Sequence, residues 1–143
     1  MAFFELRTPR DMLNKAEREL ARFRQDFNID NVFNFFVTAH HIQDYVRVTA
    51  AIPQASLETF LQDPDIKACR DLCDKGKHLS LTKRQDPVTH MASGCYGGAA
   101  YGELAYGEGE RWSLLYNDHA VDIHSLPDRV ITKWKQFLDH HGL

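Results

Sequence analysis

Phe35-Phe36-Val37-Thr38-Ala39-His40-His41-Ile42-Gln43-Asp44-Tyr45 is the stretch whose reading decides the fold. Phe35, Ala39, Ile42 and Val46 recur at alternating steps of four and three, the spacing of one helical face. Phe33, Phe36 and Val37 widen that face until most of the circumference is apolar, as in a helix surrounded by others. A central helix from about Val32 to Ala50, stopped by Pro53, is therefore predicted. His40 and Asp44 stand four residues apart and share a face of it, and polar groups set among aromatics need partners or a task.

Upstream, Thr8-Pro9-Arg10-Asp11 has the chemistry of a helix start: threonine at the cap, proline where its missing N–H costs nothing, an acid three residues on. The helix it opens runs to about Phe27, with Leu13, Ala16, Leu20, Phe23 and Phe27 inward. Lys15, Arg18, Glu19, Arg22 and Arg24 take the other side, where interleaved signs describe a solvated face. Downstream, a short helix spans about Ala55 to Gln62. Asp63-Pro64 then caps and opens another, to about Lys75. Ile66, Cys69, Leu72 and Cys73 form its inward face, Arg70 and Asp74 can pair one turn apart, and Gly76 is expected as a left-handed C-cap with Lys77 and His78 at the exit.

From Leu79 the pattern changes to apolar–polar alternation, and Asp86-Pro87 is a turn signal. Tyr-Gly recurs at 96–97, 101–102 and 106–107, which reads as a loop or irregular hairpin. Trp112 to Tyr116 and Ala120 to Ile123 are two short strands around Asn117-Asp118. Ser125-Leu126-Pro127-Asp128 is a capping box for a last helix that buries Val130, Trp134, Phe137 and Leu138. The predicted fold is mainly α (α+β): about five helices in a bundle, with a small antiparallel β-hairpin insert before the C-terminal helix. A single domain, 1–143, is expected, its bundle at 9–78 and 126–141 and its insert at 79–125.

The 143 residues suffice to bury a core, and 43% hydrophobic with 26% charged residues is the balance of a globular protein. No apolar run approaches a membrane span and no secretory signal is visible, so a cytoplasmic location is the expectation. Three cysteines, at 69, 73 and 95, fit free thiols. The formal charge of -3 exerts no global pull on nucleic acid, which leaves only local contact.

Several constellations bear on function. His40 with Asp44 is either a carboxylate-oriented imidazole or a buried pair that fixes helix register. Cys69 and Cys73 lie on an apolar stripe without a second ligand pair, so they read as core thiols. Neither a metal nor a cofactor is expected. The Tyr-Gly segment has no Lys or Arg between Cys95 and Gly109, which favours Tyr96, Tyr101 and Tyr106 as a protein-binding loop over a nucleic-acid platform.

Two resemblances follow from these residues. The patterns F-F-V-T-A-x-H-x-x-D at 35–44 and G-K-H at 76–78, with the Tyr-Gly loop and the Trp-containing last helix, resemble a family of small uncharacterised bacterial and phage-borne proteins. That likeness covers most of the chain from about Asn31 and marks His40, Asp44, Lys77 and His78. That family often has Asn-Gly where this chain has Asp74-Lys75-Gly76. More distantly, Arg70-Asp71 followed by His78 resembles the motif of the HEPN superfamily of helical-bundle ribonucleases and defence proteins, with a spacing one residue too long. On an ideal helix that spacing leaves Arg70 and His78 roughly 80° apart. The resemblance implies a metal-independent RNA-processing or defence-associated protein, commonly dimeric. Arg70 would steady phosphate, His78 would act as acid or base, and His40 with Asp44 would support them. The alternative is a non-enzymatic inhibitor or regulatory module that binds a protein through the Tyr/Gly insert. The expected partners are thus RNA or a protein, and a second copy of the chain.

Overall fold

The computed structural model describes residues 5–49, 52–78, 81–92 and 111–143, with the backbone alone at 91 and 92. Thr8 opens α1 (Pro9–Gln25) with the expected capping box. Its Oγ1 accepts from the Asp11 amide at 3.0 Å, and Asp11 Oδ2 accepts from the Thr8 amide at 2.9 Å. The central helix, α2 (Ile29–Thr49), packs against α1 and against the two later long helices, α4 (Pro64–His78) and α5 (Leu126–His140). The short α3 (Gln54–Phe60) links the halves and buries Leu57.

Phe35, Phe36, Ala39, Ile42 and Val46 of α2 are fully buried, as their spacing predicts. The helix is not surrounded, however. Asn34, Asp44 and Val48 are exposed and His41 is half-buried, and these four share one stripe that faces water.

Asp63 caps α4 as expected, with Oδ1 accepting from the Asp65 amide at 2.8 Å. Gly76 is not a C-cap: α4 continues through it to His78, and the positive φ among the described residues belongs to Gly142. Gly76 answers to packing instead, since a Cβ there would lie 2.5 Å from the Phe33 ring carbons. At the start of α5, Ser125 makes no side-chain cap bond. Its Oγ accepts from Arg129 Nη1 at 2.8 Å, which replaces the expected capping box.

The insert forms a three-stranded antiparallel sheet in the order β1 (Val88–Ala92), β2 (Arg111–Leu115), β3 (Ala120–Asp122). The predicted hairpin about Asn117-Asp118 is β2–β3, with Leu114 opposite Val121, closed by the Tyr116 amide donating to the His119 carbonyl at 2.8 Å. Leu114, Val121 and Ile123 join this sheet to the buried core that also holds Trp134 and Val130 of α5. The Tyr-Gly repeat, with Tyr96, Tyr101 and Tyr106, lies outside the described residues.

Candidate functional site

Asp71, on α4, is 3% exposed, and a carboxyl group so placed must be hydrogen-bonded. Its Oδ1 accepts from Arg70 Nε at 3.0 Å, Arg70 Nη2 at 2.9 Å and Arg84 Nε at 2.7 Å. Its Oδ2 accepts from the Tyr116 hydroxyl at 2.6 Å. Burial first, and Asp71 second, push the Tyr116 phenol well above its ordinary range, so it stays a proton donor to the carboxylate. Arg84 also reaches Asp74 Oδ2 through Nη2 at 2.5 Å. One buried carboxylate therefore holds two guanidinium groups from different segments in fixed positions.

Those two arginines line an open cleft of about 290 Å³ together with Lys67, Tyr116 and His119. Among the described residues, Nη1 of each arginine is not engaged with a protein acceptor and Lys67 has no ion-pair partner. Three basic side chains thus face a space containing one carboxylate, already shared, which makes the cleft a receptor for an anion. His119, at the tip of the hairpin, stacks on Tyr116 at 4.6 Å with the rings 6° from parallel, and its Nδ1 donates to Asp118 Oδ1 at 2.7 Å. That bond selects the tautomer with a free lone pair on Nε2, the form of a general base. It also holds the Asp118 carboxyl below its usual range.

Of the residues expected from sequence, Arg70 lines this cleft, but with Asp71 rather than its expected partner Asp74, which pairs with Arg84. Adjacent acid and base met more readily than the pair one turn apart because Arg84 arrives from outside the helix. His78 lines the neighbouring cleft with Asp74 and Arg84, and that cleft does not include Arg70. Since α4 is unbroken at Gly76, the roughly 80° between Arg70 and His78 persists, and the two histidine and arginine positions open on different sides of Arg84.

His40 and Asp44 are not hydrogen-bonded to each other. Asp44 is exposed, 3.7 Å from Arg47 and 3.9 Å from His41, because a water-facing stripe offers it solvent and Arg47 in place of the half-buried ring. His40 meets Gln43, whose Oε1 accepts from Arg47 Nη1 at 2.9 Å. Burial pushes His40 down to about 4, against the attraction of Asp74, so it is neutral near pH 7.

Sequence reasoning missed Arg84, Lys67, Tyr116 and the Asp118–His119 pair. The adjacent Asp118-His119 at the end of the Asn117-Asp118 turn was the available signal; Arg84 had none, because its partners lie on another element. Cys73, read from sequence as a core thiol, comes together with His40 and Asp74 on the α2-facing flank of α4. Cys69 is a core thiol, as expected, donating to the Phe36 carbonyl at 3.8 Å. Among the described residues, no helix is long and apolar enough to cross a membrane. No family model, curated protein or solved structure matches the chain.

Proposed function

We propose that the chain binds single-stranded RNA through the Arg70–Arg84 cleft and acts there as a metal-independent, HEPN-like RNA-processing protein. The observation that carries this reading is the convergence of Lys67, Arg70 and Arg84 with the Asp118-oriented His119 on one open space. Two pre-positioned guanidinium groups suit the non-bridging oxygens of a phosphodiester, and the outer face of the exposed His119 ring offers a stacking surface for a base. In the reaction this supports, His119 Nε2 removes the proton of a ribose 2′-hydroxyl. The 2′-oxygen attacks phosphorus, the 5′-oxygen departs and takes a proton from water, and a 2′,3′-cyclic phosphate remains. Arg70 and Arg84 stabilise the charge that accumulates on phosphorus-bound oxygen.

This assigns the acid–base role to His119 and leaves Arg70 the phosphate role that the sequence suggested. Incubating a single-stranded RNA with the purified protein in a chelator tests it. Cleavage by the wild type and by His78→Ala, with its loss in a folded His119→Ala, supports the assignment. Loss in His78→Ala with activity retained in His119→Ala returns the role to the Arg70–His78 pair, and no cleavage by the wild type removes the enzymatic reading.

A further inference from the structure

His40 on α2 and Cys73 and Asp74 on α4 present a ring nitrogen, a thiol sulfur and a carboxylate oxygen within 4.8 Å of one another. We propose that these three residues, with water completing the shell, bind a divalent transition-metal ion of the zinc class. Nitrogen, sulfur and oxygen donors in one small cluster suit zinc, cobalt or nickel, whereas calcium and magnesium prefer oxygen shells.

Each donor has an atom to give. Gln43 Nε2 lies 3.0 Å from His40 Nδ1 and 3.3 Å from Nε2, which places it over the ring face rather than in line with either nitrogen. Asp74 engages Arg84 through Oδ2, and its Oδ1 has no hydrogen-bond donor among the described residues. Cys73 is buried, yet lies against Asp74 and Lys77 rather than sealed among hydrocarbon alone. Beside the three, His41 Nδ1 donates to the Val37 carbonyl at 2.7 Å, which leaves a lone pair on Nε2.

Lys77 lies beside the cluster. Its Nζ, 3.1 Å from His41 Nε2, donates to that lone pair and also acts on Cys73. Lys77 is an exposed side chain at the last turn of α4, so it can swing into water and yield its place to a metal. On binding, the ion takes up the Cys73 thiolate, the thiol proton passes to solvent, and the Lys77 charge is displaced. The neighbouring cleft beside Asp74 and His78 supplies the route of entry.

Cobalt(II) added to the full chain is the probe, because a thiolate ligand produces a charge-transfer absorption that histidine and carboxylate do not. One equivalent is expected to bind with that band and the visible absorption of a four-coordinate ion. Cys73→Ser should remove the band, while His40→Ala and Asp74→Asn should weaken binding by roughly tenfold or more. Cys69→Ala and Cys95→Ala should keep the band, and Lys77→Gln should keep it and bind more tightly. Circular dichroism of each variant confirms folding, and if the Cys73 variant fails to fold, the wild-type band and the Lys77→Gln result decide. No thiolate band in the wild type, a band that survives in Cys73→Ser, or one that Cys95→Ala abolishes overturns the site. No RNA enters this measurement, so its outcome is independent of the RNA reading.

Discussion

Gly76 was expected to end a helix and instead lets one continue, because Phe33 of α2 occupies the space a side chain would need. Gly76→Ala should gain about 1 kcal/mol of helix propensity and meet an overpacking cost of about 1–3 kcal/mol, for a net loss in urea unfolding. The double variant Gly76→Ala/Phe33→Leu should recover at least the propensity gain, and a second substitution without effect would show that the ring is not the obstacle. His124 offers a second residue-scale test. It stacks on Phe27 at 4.1 Å, and its Nε2 is buried without a hydrogen-bond partner among the described residues. Burial, with help from Arg111 and Arg24 and against Asp122, lowers its affinity for a proton below the ordinary value of 6.5. The folded state therefore resists protonation that the unfolded chain accepts, so this contribution is whole above pH 6.5 and declines as pH falls below it. Urea midpoints measured between pH 7.5 and 5.5 should fall in the wild type and fall less in His124→Leu; equal slopes would remove His124 from the account.

At the scale of elements, α4 serves three neighbours: its apolar stripe faces the core, Asp71 gathers Arg70, Arg84 and Tyr116, and Cys73 with Asp74 approaches His40. Asp71→Ala should cost about 2–4 kcal/mol, since it leaves the half-buried Tyr116 hydroxyl unpaired and two guanidinium groups without their shared acceptor. Tyr116→Phe should cost about 1–2 kcal/mol. Thermal unfolding of the two together should be less destructive than the sum, because both delete the same bond; strict additivity would mean that the bond contributes nothing. The helices and the β2–β3 hairpin were legible in the sequence because periodicity, caps and turn residues are local signals, and Phe35–Val46 or Thr8–Asp11 carry them unaided. The partners of Asp71 were not legible. Arg84 and Tyr116 reach it from other segments, and neither position has a periodic or motif-level mark. His119 was visible only as one histidine among eight.

For the whole molecule, a formal charge of -3 argues against broad attraction to nucleic acid, so any RNA contact must be short and confined to the basic cleft. Two or three phosphate contacts would give a slope of about -1.4 to -2 for the logarithm of the binding constant against that of the salt concentration. A titration of a short single-stranded RNA into wild-type protein and Lys67→Ala across a salt series tests this most directly, since Lys67 leaves no broken ion pair behind among the described residues. The account predicts that the wild type binds with that slope and that Lys67→Ala binds more weakly with a slope shallower by about 0.7. A wild type that fails to bind at low salt, or a Lys67→Ala protein indistinguishable from it, would contradict the assignment of the cleft to RNA.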